Sequence, residues 1–507
     1  MRRRYTLMML CCLLAIANAS AQTKTIAKPN IVFIYVDDLG YGDLSCYGAT
    51  SVKTPNTDRL AAGGLRFTDG HCSASTCTPS RFAILTGSYA FRNKAAILPG
   101  DAPLIINPGQ QTMPGMLQQA GYTTAAIGKW HLGLGAGHPN WNDSISPGPR
   151  EIGFNYSFII PATPDRVPTV FVEDHHVVKL DLNDPVSVSY DHPIGNDPIG
   201  LQHPEMLKMQ ADSQHSGTIV NGVSRIGYMS GGHSAYWKDE DFSEVLTAKA
   251  LHFIEANRSQ PFFLYFALPN VHVPRMSNAK FVGATQMGPR GDDIAEMDWI
   301  TGQVMDQLRK LNLINNTLVI FTSDNGPVID DGYADNAESK LGKHQAAGIY
   351  KGGKYSAYEG GTRVPLIVSW PGKVKPGVND ALISQVDFFR SLSALAAVPV
   401  INSAAPDSRD LSPVLLGNTR QGRTEMIEEA FTMCYRQGNW KYIAPVTQAP
   451  PSWLANKKVP TGLQADPQLY NLKTDPAEQH NLAASMPAKT KALADALRLE
   501  MAAGSRK

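Results

Sequence analysis

The amino-acid sequence predicts an α/β fold, with a mostly parallel central sheet flanked by helices and a smaller α+β subdomain at the C-terminus. Short apolar runs recur along the chain, among them residues 31–36, 262–268 and 318–321. Continuous apolar runs of this length are typical of strands that are buried on both faces of a parallel sheet. Amphipathic segments such as TPNTDRLAAGG and IAEMDWITGQVMDQLRKLNL separate the runs, with apolar residues near i, i+3, i+4 and i+7. Strands that alternate with helices in this way indicate the α/β class.

Four of the apolar runs end in side chains that can carry chemistry. These residues are Asp37 and Asp38, Lys129 and His131, His272, and Asp324 with Asn325. In open α/β sheets, ligands bind beyond the carboxyl ends of the strands. We therefore expect these residues to meet at one edge of the sheet. A fifth run, in TRVPLIVSWPG, has no obvious chemistry at its end.

The chain divides into a predicted signal peptide (1–21), a catalytic domain (22–395) and a C-terminal subdomain (396–507). Three arginines at positions 2–4 precede the apolar run TLMMLCCLLAIANA, and Ala19-Ser20-Ala21 offers a cleavage site, as in signal peptides. The apolar run is too short for a typical membrane span. We therefore expect an exported protein, periplasmic or secreted, without stable membrane insertion.

The composition argues against a nucleic-acid-binding protein. The 507 residues are 43% hydrophobic and 18% charged, with a formal net charge of +1. No basic run interleaved with aromatic residues occurs in the chain. These values are ordinary for a soluble globular protein of enzyme size.

Four cysteines remain beyond the predicted signal peptide: Cys46, Cys72, Cys77 and Cys434. They are scattered and form no C-x-x-C pair, which argues against a disulfide framework and against a structural zinc site. Cys77 alone stands in a distinctive setting, at the start of CTPSRFAILTG. The stretch predicts a short helix that ends at Gly87, with Cys77 at its N-terminus, where free N–H groups favour an anion. A thiol nucleophile with a lowered pKa also fits these surroundings, but no Cys-His protease signature accompanies it.

Adjacent carboxylates at the end of a buried strand repel each other unless a cation or hydrogen-bond donors compensate them. Asp37-Asp38 and Asp324-Asn325 together offer three carboxylates and an amide oxygen, which suit Ca²⁺ or Mg²⁺ and do not suit zinc. Solvated aspartates explain the first pair equally well, and an ordinary turn explains the DNG of the second.

Several blocks of the chain resemble the type I, formylglycine-dependent sulfatases, the arylsulfatase-like family. The Cys77-Thr78-Pro79-Ser80-Arg81 stretch followed by Leu85-Thr86-Gly87 resembles the family signature C-x-P-S-R-x-x-x-[LT]-x-G. DDLGYGD, TPNTDRLAAGG, GKWHLG, SDNG, GGKYSAYEGGTRVP and LYNLKTDPAEQHNLA resemble further family blocks, in the family's order. The resemblance covers nearly the whole chain after the predicted signal peptide, and it implies an alkaline-phosphatase-like α/β fold and hydrolysis of a sulfate ester.

The resemblance also implies roles for individual residues. It implies one Ca²⁺ held by Asp37, Asp38, Asp324, Asn325 and the modified Cys77. Cys77 matches the residue that a formylglycine-generating enzyme oxidises to formylglycine (3-oxoalanine), whose hydrate is the nucleophile. Arg81 matches the arginine that steadies this hydrate. Lys129, His131, His272 and Lys354 match the remaining catalytic positions: Lys129 and Lys354 against the sulfuryl oxygens, His131 as the base, and His272 as the acid for the leaving oxygen. With Cys77 converted, Cys46, Cys72 and Cys434 allow at most one disulfide.

The substrate expected from the resemblance is a sulfated glycan, as in bacterial exo-acting carbohydrate sulfatases of mucin-type glycans. Among these, removal of 3-O-sulfate from galactose or N-acetylgalactosamine is favoured. A Pro-, Asp-, Asn- and His-rich insertion between about residues 139 and 243 is typical of a functional or mobile segment, and His176 within it is a candidate sugar contact. Arg275 and Glu338 are further candidate contacts. Two alternatives remain: a phosphoester or phosphonate hydrolase of the same superfamily, and a non-catalytic glycan-binding relative.

Overall fold

A ten-stranded, mostly parallel sheet forms the centre of the computed structural model, which describes residues 28–401 and 403–503. The signal peptide predicted at residues 1–21 lies outside these residues. The spatial order of the sheet is β15-β2-β14-β13-β1-β12-β4-β5-β6-β7. In chain order its strands are β1 Asn30–Val36, β2 Leu65–Phe67, β4 Thr123–Lys129, β5 Tyr156–Ile160, β6 Val172–Glu173, β7 His176–Val177, β12 Phe262–Ala267, β13 Thr317–Ser323, β14 Leu366–Ser369 and β15 Gly377–Asn379.

Helices cover both faces of this sheet. The helices of the chain are α1 Pro55–Ala62, α2 Cys77–Thr86, α3 Met113–Gln119, α4 Phe242–Ala256, α5 Pro289–Lys310, α6 Ala337–Lys340, α7 Glu359–Thr362, α8 Phe388–Ala396, α9 Ser412–Leu415 and α10 Pro487–Ala503. Along β1, Ile31, Phe33 and Tyr35 pack in the hydrophobic core on the side of α2, α3 and α8, whereas Val32 and Ile34 pack in the core on the side of α1, α4 and α5. Burial of alternate residues on opposite faces explains why the run is continuously apolar. The structure confirms the predicted fold class.

The carboxyl ends of four neighbouring strands meet at one edge of the sheet. β1 pairs in parallel with both β12 and β13, and β12 pairs in parallel with β4. β14 runs antiparallel to β13. Because of this reversal, the start of β14 lies at the edge where its neighbours end. The apolar run of TRVPLIVSWPG therefore has its chemistry before the strand, in the segment that contains Lys354, and not after it.

The C-terminal region forms a separate antiparallel sheet, as the sequence predicts. Its strands are β17 Glu425–Glu429, β18 Met433–Gln437, β19 Trp440–Ile443 and β20 Gln468–Asn471, paired in that order. α10 packs on this sheet through Leu493 and Leu497, which join Tyr435 and Leu469 in a small hydrophobic core.

The insertion between residues 139 and 243 is built from short pieces. Three of them, β5, β6 and β7, extend the main sheet. The others form two-stranded pairs, β8 Ser187–Ser189 with β11 Tyr228–Ser230, and β9 Ile219–Val220 with β10 Val223–Ser224. The remaining short strands of the chain, β3 Gly70–His71 and β16 Ile383–Ser384, pair with each other.

Cys46, Cys72, Cys77 and Cys434 are all free thiols. The disulfide that the sequence leaves room for is thus not formed among these cysteines. Within residues 28–401 and 403–503, no helix has both the length and the apolar character needed to cross a membrane.

Candidate active site

The side chains that follow β1 and β13 come together beside Cys77. One ligand atom each of Asp37, Asp38, Asp324 and Cys77 lies within 4.8 Å of the other three. The three carboxylates have no exposed surface. Their convergence follows from the parallel pairing of β1 with β13, which places Val36 opposite Ser323 at the last register position.

Three buried cations pair with these three carboxylates. Lys129 Nζ lies 2.6 Å from Asp37 Oδ2, and Lys354 Nζ lies 2.8 Å from Asp38 Oδ2. The guanidinium of Arg81 donates to Asp324 Oδ2 from Nε at 2.9 Å, and its Nη2 lies 2.8 Å from the same oxygen. Arg81 also donates to the carbonyl of Lys129, so that its hydrogen bonds tie helix α2 to the ends of β13 and β4.

The pairing leaves the carboxylates unequal. Burial, followed by repulsion from Asp324, raises the pKa of Asp37 well above its ordinary value. Burial also acts to raise the pKa of Asp324, but Arg81, Lys129 and Lys354 together hold that pKa below its usual range. The negative charge of Asp37 is therefore compensated less well than that of Asp324, and an added cation beside Asp37 would be favoured.

The oxygen atoms of this cluster fit a hard divalent cation. Asn325 Nδ2 donates to Asp38 Oδ1 at 2.6 Å, whereas Asn325 Oδ1 is buried without a hydrogen-bond partner among the described residues. A buried amide oxygen without a donor is costly, and a cation beside it removes that cost. Carboxylates and an amide oxygen are the donors that Ca²⁺ and Mg²⁺ prefer. Asp37, Asp38, Asp324 and Asn325 are thus the residues that could hold the ion.

Backbone packing fixes the loop that carries Asn325. A Cβ on Gly326 would lie 1.8 Å from the carbonyl oxygen of Gly360, so only glycine allows this close approach. Gly326 donates its N–H to the carbonyl of Gly361. The DNG sequence therefore serves a tight contact between two loops of the site, and not only a turn.

Cys77 is the first residue of the fully buried helix α2, as the sequence predicts. The helix ends at Gly87, whose φ of 65° is in the left-handed region. The Cys77 thiol donates to Asp37 Oδ1 at 3.6 Å. Burial raises the pKa of the Cys77 thiol well above its ordinary value, even though Lys129 and Lys354 lower it. Cys77 is therefore a neutral thiol here, which argues against a thiolate nucleophile.

Hydrogen bonds to the backbone define the state of both candidate histidines. His131 Nε2 lies 2.9 Å from the carbonyl oxygen of Leu98, so Nε2 carries the proton and the buried, unpartnered Nδ1 carries the lone pair. Burial, then Lys129, lowers the pKa of His131 well below its ordinary value. His272 Nδ1 donates to the carbonyl of Val273 at 2.6 Å, and its Nε2 lies 3.8 Å from Asp38 Oδ2. Burial and then Lys354 lower the pKa of His272 to about 4.

A cavity of about 330 Å³ lies over these residues. Cys77, His131, His272 and Lys354 line one side of it. Its other lining side chains include Asp165, Arg166, Tyr190, Gln214, His215, Asp331, Tyr355, Phe431, Trp453 and Lys457. The sequence analysis named none of these other lining residues. The sequence offers only weak indications of them: Asp331 lies six residues after Asn325, and Asp165 and Arg166 lie in the polar insertion.

The three sugar contacts expected from the sequence lie outside the residues that line this cavity. His176 is exposed on the edge strand β7. Arg275 is buried, and its guanidinium is used within the protein. It donates to the carbonyls of Val271, Val328 and Ile329 and pairs with Asp335, so it holds two loops together. Glu338, on α6, pairs with Lys458 at 2.9 Å and faces a separate open cavity.

The chain is similar to a known protein family and to several characterised proteins. The Sulfatase family matches residues 29–398. An N-acetylgalactosamine-6-O-sulfatase of Bacteroides thetaiotaomicron is 49% identical over 476 residues, covering 93% of this chain and 92% of that protein. Human arylsulfatase A is 33% identical over 508 residues, covering 96% of this chain and 89% of that protein. A solved structure from work on the metabolism of multiple glycosaminoglycans by Bacteroides thetaiotaomicron superposes with a TM-score of 0.92 at 48% identity, covering 94% of this chain and all of that one.

Buried cations and a candidate divalent-cation site at the carboxyl edge of a parallel sheet suit a hydrolase that acts on an anionic ester. Within that class, the chain belongs to the sulfatase family, and it is a sulfuric ester hydrolase. The family resemblance expected from the sequence is confirmed.

Proposed function

We propose that this protein removes 6-O-sulfate from N-acetylgalactosamine in glycans, with one Ca²⁺ and a formylglycine made from Cys77. The proposed substrate rests on the 49% identity to an N-acetylgalactosamine-6-O-sulfatase across 93% of the chain. N-acetylgalactosamine is one of the two sugars that the sequence suggested. The 6-O position fits this relative better than the 3-O position that was expected.

The donor set supports the two cofactors. Asp37, Asp38, Asp324 and Asn325 would hold the cation, as the unpartnered Asn325 oxygen suggests. Ca²⁺ held by these residues would polarise the nucleophilic oxygen, and a hydrated formylglycine at position 77 would supply that oxygen together with a second hydroxyl for release of the sulfate. The thiol of Cys77, neutral and buried, is poorly suited to attack sulfur itself.

The chain's own residues perform the remaining tasks. Lys129 and Lys354 face the cluster from two sides and stabilise negative charge that develops on the sulfuryl oxygens. His131 Nδ1, which carries a lone pair, accepts a proton during sulfate release. His272 Nδ1 keeps its proton on the carbonyl of Val273, so Nε2, 3.8 Å from Asp38 Oδ2, must gain a proton before His272 can act as the acid for the departing sugar oxygen. In the net reaction, the bond between sulfur and the sugar oxygen breaks, one water is consumed, and the sugar gains a hydroxyl.

We also propose where the protein acts and how its chain is divided into domains. The signal-peptide pattern at residues 1–21 supports export to the periplasm or the exterior, with Cys77 converted by a formylglycine-generating enzyme. We also propose a catalytic domain at residues 22–395 and a C-terminal subdomain at 396–507. The position of the separate antiparallel sheet, which begins at Glu425, supports this division.

Desulfation of a panel of sugars tests the proposal. The protein, produced with a formylglycine-generating enzyme, is offered N-acetylgalactosamine and galactose, each sulfated at O3, O4 or O6, together with an aryl phosphate. Intact-mass measurement reports conversion of the Cys77 CH₂SH group to an aldehyde, with Cys77→Ala as the control. We expect the 6-sulfates to be cleaved fastest. Faster cleavage of 3-sulfates or of the phosphate, or no turnover by fully converted protein, contradicts the proposal.

A further inference from the structure

Part of the cavity wall comes from the insertion between residues 139 and 243. The charged or titratable side chains of this part are Asp165, Arg166, Tyr190 and His215, and all four line the cavity. None of them contacts the carboxylates that would hold the cation, according to the hydrogen bonds and ion pairs of the described residues. This wall is therefore available to the part of the substrate that carries the sulfate.

Asp165 is fully occupied in holding its neighbours. It accepts hydrogen bonds from the Thr163 hydroxyl and from Arg166 Nη1, the latter at 3.0 Å. His215 Nε2 lies 3.3 Å from its second oxygen, and His215 Nδ1 lies 2.6 Å from Asp212. Asp212 thus holds the His215 ring, His215 holds the Asp165 carboxylate, and Asp165 holds one nitrogen of the Arg166 guanidinium.

Arg166 keeps hydrogen-bonding capacity that the protein does not use. Its Nη1 donates to Thr163 and Asp165, whereas Nε and Nη2 have no hydrogen-bond partner among the described residues. Its side chain retains 14% exposure and lines the cavity. A guanidinium that is fixed at one nitrogen, with its other N–H groups toward a cavity, is preorganised to bind oxygen atoms of a ligand.

The charges of the wall indicate that the ligand group is uncharged. Asp165 neutralises Arg166, and Asp331 lies 3.0 Å from Lys457 Nζ on the adjoining side of the cavity. Asp331 also lies 3.2 Å from Lys354 Nζ, whose second carboxylate is Asp38. The cations of the wall are therefore compensated, and the wall offers strong donors with little net charge. Such a surface suits the hydroxyl and amide oxygens of a neutral sugar ring, whereas the sulfate charge is met by Lys129 and Lys354.

We propose that Arg166, positioned by Asp165, is a substrate-specificity residue that donates from Nε and Nη2 to a hydroxyl or acetamido oxygen of the sulfated sugar. This inference rests on the proposed function, because it names the residue that recognises the sugar in that same site. It assigns recognition to the irregular insertion and not to the strand ends.

Two substitutions of Arg166 test the assignment. Arg166→Lys keeps the charge but loses the planar fork, and Arg166→Met removes both; Arg150→Lys is the matched control, because Arg150 lies in the same insertion and pairs with Asp174. We expect both Arg166 variants to lose about 10- to 100-fold in kcat/KM on N-acetylgalactosamine 6-sulfate, as for hydrogen bonds to charged groups. Inhibition by inorganic sulfate, which reports the sulfate end alone, stays unchanged, as does the melting temperature. A similar loss on galactose 6-sulfate assigns the contact to a hydroxyl, and a smaller loss assigns it to the acetamido group.

Saturation-transfer NMR with unsulfated N-acetylgalactosamine and galactose measures sugar binding without turnover. If the wild-type protein desulfates no 6-sulfated sugar, the proposed function fails, and Arg166 is then judged on sugar binding alone. The assignment is overturned if Arg166→Lys binds these sugars and turns over their sulfates like the wild type. It is also overturned if inorganic sulfate inhibition weakens in parallel, or if the wild type binds neither sugar.

Discussion

Of two large buried clusters of charged side chains in the described part of the chain, one borders the cavity and the other does not. The site cluster comprises Asp37, Asp38, Asp324, Arg81, Lys129 and Lys354. The inter-sheet cluster, between the two sheets, comprises Asp69, Glu359, Glu428, Glu478, Arg363, Arg436 and Lys441. Each contains carboxylates close enough to share a metal ion, since Asp69, His71 and Glu359 also place ligand atoms within 4.8 Å of one another.

The clusters differ in how their buried carboxylates are compensated. In the inter-sheet cluster, Lys441 lies 3.1 Å from Glu359, 3.4 Å from Glu428 and 3.7 Å from Glu478. Burial, helped by the Glu359 carboxylate and opposed by Lys441, raises the pKa of Glu478 to about 8, so a proton neutralises it. The site cluster instead leaves the Asn325 oxygen without a partner and adjoins Cys77. Buried charge, a shifted pKa and oxygen atoms without a hydrogen-bond partner are thus common to both clusters, and access from the cavity distinguishes the site.

The largest expected effect comes from the site cluster. Cys77→Ala removes the source of the nucleophile, and we expect sulfate-ester hydrolysis to fall by at least about 10⁴-fold. The melting temperature should change little, because the thiol makes one weak hydrogen bond. Cys434→Ala, a buried thiol in the small sheet, is the matched control and should keep full activity. Substantial activity in Cys77→Ala is the result that contradicts the comparison.

The inter-sheet cluster should respond in stability and not in catalysis. Lys441→Met leaves Glu359, Glu428 and Glu478 without their shared cation, and we expect a loss of about 3–5 kcal/mol in the free energy of unfolding. Denaturant unfolding measures this loss, and assays well below the melting temperature should show an unchanged kcat. Lys354→Met is the counterpart in the site cluster, and its kcat should fall. A fall in kcat for Lys441→Met at unchanged stability would falsify the division of roles.

His272 should matter in proportion to the leaving group. His272→Ala removes the proton carried to the sugar oxygen, and we expect kcat on a sugar sulfate to fall by about 10²–10³-fold. An aryl sulfate, whose phenolate leaves without a proton, should lose less than about tenfold. Steady-state kinetics on the two substrates measure the difference. Equal losses on both contradict the role of His272 as an acid.

Calcium should stabilise the protein through the site cluster alone. At a concentration of about 100 times its dissociation constant, the ion adds about 2.7 kcal/mol to the free energy of unfolding. Thermal melting with and without Ca²⁺ measures the gain, which Asn325→Ala should reduce. Glu359→Gln, in the inter-sheet cluster, should lower the starting stability and keep the calcium-induced gain. A gain that depends on Glu359 and not on Asn325 contradicts the assignment of the site.

The effect that is smallest per pH unit concerns the pH dependence of stability. Because the pKa of Glu478 is raised to about 8 in the folded protein, the unfolded chain releases this proton at lower pH. Its contribution is fully present below about pH 4.3 and is lost as the pH rises toward 8, by at most about 1.4 kcal/mol per pH unit. Unfolding at several pH values should show a shallower slope in Glu478→Gln. Asp495→Asn, on the surface of α10, is the control and should keep the wild-type slope.

The fold and the strand-end residues could be predicted because a local pattern carries them. A continuous apolar run followed by Asp37-Asp38 or Asp324-Asn325 combines strand type and edge position in one stretch. The position of Lys354 needed the family resemblance, since it precedes an antiparallel strand whose direction the run does not reveal.

The substrate wall could not be predicted in this way. Arg166 and Lys457 lie in irregular segments, where no periodicity links a residue to a face, and contacts with distant residues such as His215 and Asp331 determine where they point. Arg275 shows the converse. Only three residues after His272, it was a reasonable candidate, yet its donors are used by backbone carbonyls.

Trp453 and Lys457, which line the cavity, come from the segment between β19 and β20 of the C-terminal sheet. Cys77, His131 and His272, which line the same cavity, are held by the main sheet and its helices. The two sheets must therefore pack together before the cavity is complete. A substitution that loosens the C-terminal sheet should weaken substrate binding even though every residue at the strand ends is intact.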